Sequence, residues 1–167
     1  MHVNCLIKAL INTVLLSTVV ALSTTVFADD KAPDFILGKT AKNQTVYLSS
    51  YKGRVVYLDF WASWCVPCLK SFPWMNEMHN RYKKNGLKIL AVNVDEQKDE
   101  AKKFLKDHPA DFTVIYDFEA KIAEKYEVKA MPSSYFIDRK GNIVKTKLGF
   151  KIKDTDEMEQ VIQSLLK

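Results

Sequence analysis

The sequence predicts an α/β sandwich, with a mixed sheet carrying helices on both faces. Three observations predict it. Short apolar runs alternate along the chain with segments of helical length. The run Val55-Val56-Tyr57-Leu58-Asp59-Phe60 is almost continuous in β-branched and aromatic side chains, as a strand buried on both faces requires. The last two runs meet at Lys140-Gly141-Asn142, a turn that closes the sheet with an antiparallel hairpin. The composition supports such a core. With 47% hydrophobic and 27% charged residues in 167, the chain has globular proportions, which exclude a disordered tail, a low-complexity polymer and a disulfide-stapled miniprotein. Its 25 basic and 20 acidic residues leave a net charge of +5 without any block of five like charges, so no nucleic-acid partner is expected.

The N-terminus reads as an address. Residues 9–28 carry no charge, follow Lys8, and end Val26-Phe27-Ala28 ahead of Asp29, with small residues placed for a cut after Ala28. Residues 1–28 are therefore expected to be a signal peptide and 29–167 one domain, exported to the periplasm or another outside compartment and soluble after cleavage. An uncleaved anchor over 9–28 is the rival, and Asn12, Thr13, Ser17, Thr18, Ser23, Thr24 and Thr25 argue against it by diluting the apolar stretch. Cys5 stands too early to carry a lipid after that stretch.

In the remainder, Phe35-Ile36-Leu37 and Thr45-Val46-Tyr47-Leu48 form an N-terminal β-hairpin. After the central strand at 55–60, a helix runs from about Cys65 to Lys84 and stops at Asn85-Gly86, where glycine supplies the left-handed residue. Leu87 to Val94 is the next strand. Gln97 to Asp107 is an amphipathic helix with Ala101, Phe104 and Leu105 inward. Thr113 to Tyr116 is a short strand and Lys121 to Tyr126 a short helix. Ser134 to Asp138 and Ile143 to Leu148 are the closing strands. A final helix from Asp154 turns Met158, Val161, Ile162 and Leu165 inward, and Lys145, Lys147, Lys151 and Lys153 read as a solvated face.

The chemistry sits in Trp64-Cys65-Val66-Pro67-Cys68. Cysteines three apart at a helix start can reach each other to form a small-ring disulfide. The first lies where unpaired backbone N–H groups and the helix dipole favour thiolate. Cys65 is expected to be the exposed nucleophile of lowered pKa, and Cys68, one turn inside, the shielded thiol that resolves a mixed disulfide. A structural zinc site would need four ligands. No second cysteine pair exists and His2, His79 and His108 are scattered, so neither a metal nor a cofactor is expected. Asp59 is a lone carboxylate in an apolar strand, where desolvation would raise its pKa.

Taken together, Ala32-Pro33-Asp34-Phe35, the string from Asp59-Phe60-Trp61-Ala62-Ser63-Trp64 through Cys68, Phe72-Pro73 and Met131-Pro132-Ser133-Ser134-Tyr135-Phe136 resemble the thioredoxin superfamily. The narrower resemblance is to its exported TlpA/ResA-like branch, which includes reductases of cytochrome c maturation. It implies a three-layer thioredoxin-like sandwich and a protein-disulfide reductase recharged by a membrane electron donor, acting as a monomer on disulfide-bearing proteins. It also implies that Pro132 is a cis-proline lying against the sulfurs, with Met131 before it offering backbone to an extended substrate. Trp64, Val66 and Pro67 complete that contact surface, Trp61 and Trp64 form an apolar collar, and Pro73 kinks the helix. By the same resemblance Asp59 assists proton transfer at Cys68.

Two departures stand out. Ser71 occupies a position where several members of the branch carry glutamate. Thioredoxins pair their buried aspartate with a lysine on the next strand, where the expected register here puts Ala91. Two other functions fit parts of the sequence. A thiol peroxidase shares the Ala-Pro-Asp-Phe opening, but Leu58 stands where its active-site pattern needs proline. A copper chaperone would use both thiolates with Met131, without a histidine ligand.

Overall fold

The structure is a computed structural model describing residues 30–39 and 42–167. The expected signal peptide lies outside the described residues. Among those described, no helix is long and apolar enough to cross a membrane.

The elements follow the expected alternation. A small antiparallel sheet of β1 (Ile36–Lys39) and β2 (Thr45–Tyr47) opens the fold. It begins one residue later than the sequence predicts, because Phe35 is drawn into the core with its ring edge against Tyr126. Then come β3 (Val55–Trp61), α1 (Val66–Tyr82), β4 (Leu87–Asn93), α2 (Lys98–Asp107), β5 (Thr113–Tyr116) and α3 (Lys121–Lys125). The chain ends with β6 (Ser133–Ile137), β7 (Ile143–Leu148) and α4 (Thr155–Leu166). The last helix starts one residue past Asp154, after a 3-10 turn over Ile152–Asp154. Gly86 takes the left-handed conformation (φ 105°) that ends the turn after α1, as expected of the Asn85-Gly86 stop.

The five-stranded sheet has the order β5-β4-β3-β6-β7, in which β3, β4 and β5 are parallel and β6 is antiparallel to both its neighbours, β3 and β7. Every residue of β3 is buried, which its unbroken apolar run anticipates. Side chains alternate across it. Val55, Tyr57 and Trp61 join a core with residues of α1, α2 and α4, whereas Val56, Leu58 and Phe60 pack with α3 and the N-terminal segment. Helices therefore cover both faces, as the thioredoxin-like sandwich requires.

Both edges of the sheet are modest. β5 has four residues. The start of β7 is covered by the N-terminal segment, where Ile143 N–H donates to the Asp30 carbonyl (2.8 Å) and Ala32 N–H to that of Gly141 (3.0 Å). The lysine stretch is not simply solvated: Lys145 pairs with Glu157 and Lys147 with Asp154, because β7 runs alongside the start of α4.

Candidate active site

The turn Ala62-Ser63-Trp64 links the end of β3 to α1, and Cys65 is the residue that caps the helix. Its backbone is extended (φ −85°, ψ 98°), and its sulfur accepts the Cys68 N–H at 3.3 Å. One of the orphan donors of the first helical turn thus points at Cys65 Sγ, the arrangement that favours negative charge there. Val66 and Pro67 are the first helical residues, where proline's missing N–H costs no hydrogen bond. Cys65 and Cys68 are joined in a disulfide, S–S 2.03 Å and Cα–Cα 5.3 Å.

Cys65 is less exposed than expected. It is buried, keeping 4% of its surface against 0% for Cys68. Around it Trp64 (66% exposed) and Val66 (64%) stand out into solvent, and Pro67 is exposed as well. Trp61 is no part of a solvent-facing collar: strand alternation turns it into the core, against Phe72 and Phe104 at 4.9 and 4.8 Å. The Met131–Pro132 peptide is cis, and Met131 packs against the cluster that contains both cysteines. Pro132 is buried, its carbonyl accepting from Gly149 N–H at 2.7 Å. Pro73 lies inside α1 on an exposed position. Ser71 is fully buried and donates to the Cys68 carbonyl (3.0 Å), so the position carries no charge.

Asp59 is fully buried, on the face of β3 shared with Tyr57 and Trp61 and hence with the cysteines. Its β4 neighbour is Ala91, as expected from the register. Support comes instead from β6. Ser134 lies opposite, and its hydroxyl donates to Asp59 Oδ1 at 2.6 Å while accepting from Tyr57 Oη at 2.8 Å. Asp59 Oδ2 is buried without a hydrogen-bond partner. Burial pushes the carboxyl up to about 7, and the Ser134 and Tyr57 hydroxyls restrain the rise.

Sequence reasoning missed Ser134 and also Asp95. The Asp95 carboxylate accepts from Ser63 N–H (3.0 and 3.1 Å), the Ser63 hydroxyl (3.0 Å) and Asn93 Nδ2 (2.7 Å), all in a buried or half-buried setting. It pins the turn that carries Trp64 and Cys65 to the end of β4. The available signal was two polar residues, Asn93 and Asp95, closing an apolar run. Among the described residues no group of three or more His, Cys, Asp or Glu is placed to hold a metal ion.

A mixed sheet with a Cys-x-x-Cys pair heading its first long helix and a cis-proline opening the neighbouring antiparallel strand defines a thioredoxin-like thiol-disulfide oxidoreductase. The comparisons agree. The Redoxin family matches residues 27–162, and the chain belongs to that family. It is 35% identical over 142 residues to the thiol-disulfide oxidoreductase ResA of Geobacillus kaustophilus, spanning 85% of this chain and 80% of that protein. It is 36% identical to ResA of Bacillus subtilis over 118 residues, 71% and 65% of the two chains. A crystal structure of a Chlorobium tepidum protein, assigned as thiol:disulfide interchange protein DsbE, superposes with a TM-score of 0.77 at 47% identity, covering 83% of this chain and 97% of that one.

Proposed function

We propose that the chain works outside the cytoplasm as a reductase of protein disulfides, with Cys65 as attacking thiolate, Cys68 as resolving thiol and Asp59 as the proton acceptor for Cys68. The observation that carries this reading is the asymmetry of the pair: Cys65 caps the helix with a backbone N–H on its sulfur, and Cys68 is sealed one turn inside.

In the reaction, Cys65 thiolate attacks one sulfur of a substrate disulfide, and the other sulfur leaves as a thiolate that takes up a proton. Cys68 then gives its proton to Asp59, and its sulfur attacks Cys65, breaking the mixed disulfide and releasing the second substrate thiol. Two electrons pass to the substrate with two protons, one that the first leaving thiolate takes from water and one that Asp59 receives from Cys68 and passes on to the second, and the protein ends as the disulfide found here. A membrane electron donor of the thiol-reductase type would restore the dithiol. The exposed Trp64, Val66 and Pro67, with Met131 and Pro132, would form the surface that receives an extended substrate segment. The uncharged stretch at 9–28 supports export, and the resemblance to the exported branch supports the reducing direction and a part in cytochrome c maturation.

The reduction potential of Cys65–Cys68, equilibrated against glutathione, tests the direction. A value below about −230 mV is expected of a reductase, and one near the roughly −120 mV of a strong oxidant such as DsbA would overturn the reading. Trp64→Ala is expected to raise KM for a protein disulfide about fivefold with little change in melting temperature, since the side chain is two-thirds exposed. An unchanged KM would remove Trp64 from the substrate surface.

A further inference from the structure

We propose that Ser134, itself held by Tyr57, is the positioning residue that orients Asp59 toward the dithiol, taking the place of the lysine that thioredoxins supply from the next strand. The inference rests on the reading of Asp59 as proton acceptor for Cys68.

The geometry is directional. Tyr57 Oη donates to Ser134 Oγ at 2.8 Å, and Ser134 donates to Asp59 Oδ1 at 2.6 Å, so both hydroxyl protons point toward the carboxyl group. Asp59 Oδ1 is thereby committed as an acceptor. An arriving proton is left with Oδ2, the buried oxygen that has no partner. A buried polar atom without a partner costs free energy, and here it gives the carboxyl group one oxygen dedicated to holding the chain and one free to exchange a proton. The chain also fixes the orientation of the carboxyl group, since Ser134 sits in the β3–β6 ladder directly opposite Asp59 and Tyr57 is wedged edge-on between Trp74 and Phe136.

Other groups facing Asp59 offer no substitute. The cross-strand row through it runs Val114, Ala91, Asp59, Ser134, Lys147. β4 contributes only the Ala91 methyl, and Lys147, two strands away, is engaged by Asp154. From β3 itself the titratable neighbour is Tyr57, whose phenol burial keeps neutral. From α1 the cluster on this face of β3 contains Cys68, held in the disulfide. Ser134 is therefore the closest hydroxyl partner of Asp59, at 2.6 Å, with the Tyr57 hydroxyl behind it also restraining the carboxyl.

The test follows the Asp59 carboxyl carbon by NMR as a function of pH in the intact oxidised protein, beside single-turnover reduction of a protein disulfide by the reduced protein. A hydrogen bond to the charged form holds a carboxyl pKa down. Ser134→Ala is thus expected to raise the Asp59 midpoint by about one pH unit and to move the neutral-pH limb of the rate profile with it. Tyr57→Phe, which removes a single oxygen and keeps the packing, should raise both by a smaller amount, because Ser134 loses the donor that polarises it. Ser134→Thr should restore them. If Asp59→Ala erases the limb while Ser134→Ala and Tyr57→Phe leave the midpoint in place, the positioning role is wrong and Asp59 keeps its own. If Asp59→Ala leaves the limb unchanged, the reading of Asp59 fails and this inference falls with it.

Discussion

Replacing Cys68 with Ser is expected to stop turnover while leaving one half-reaction intact. The variant should release one equivalent of thiol from a disulfide-bearing protein and retain the other half as a covalent adduct on Cys65, visible by mass spectrometry without reductant. Cys65→Ser should form no adduct and lose at least about a thousandfold in rate, as nucleophile removal does elsewhere. The difference between the two variants follows from their places on α1. Cys65 lies at the cap, with the Cys68 N–H on its sulfur and a sliver of surface, and Cys68 has no surface at all. Adducts on Cys68 in the Cys65→Ser protein, with none on Cys65 in the other, would reverse the assignment.

A second large effect concerns stability. Asp59 in the folded protein binds its proton up to about pH 7, against the ordinary aspartate value of 3.8, so the folded state holds a proton that the unfolded chain has released across that interval. Stability must then fall as pH rises between those values, by about 1.4 kcal/mol per unit and about 4 kcal/mol in all. Above the folded pKa the whole cost of burying the charge is present; below the unfolded value it is absent. Asp59→Ala removes it. The substitution also leaves the Ser134 hydroxyl without its acceptor, at a cost of about 1–3 kcal/mol that does not vary with pH. Denaturant unfolding of the oxidised proteins should show the variant gaining on the parent by about 4 kcal/mol from pH 4 to pH 8. Parallel stability curves would mean that Asp59 does not carry the proton.

How far the sequence reveals these features depends on the range of the interactions. The alternation of elements is legible because each is marked locally, by the unbroken apolar run at 55–60, the glycine at 86 and the inward spacing of Met158 and Ile162. A carboxylate inside such a run is likewise visible as a buried acid. Its partner is not, since Ser134 reaches Asp59 only through the antiparallel pairing of strands 75 residues apart, and nothing near Ser134 announces that register. Asp95 escapes for the same reason: its acceptor role appears only when the end of β4 is set beside the turn after β3. Trp61 and Trp64 differ in burial because one belongs to the strand and the other to the turn, a boundary that composition alone does not draw.

The treatment of the sheet edges has a consequence for solubility. A sheet with open edges risks having another polypeptide, or a second copy of itself, add as an extra strand. β5 offers four residues of open backbone, and the first rung of β7 is already taken by residues 30–32. The rest of β7 carries Lys145 and Lys147, anchored by Glu157 and Asp154, at alternate positions of the border. Charges so placed discourage fibril-like growth along the β7 side of the sheet.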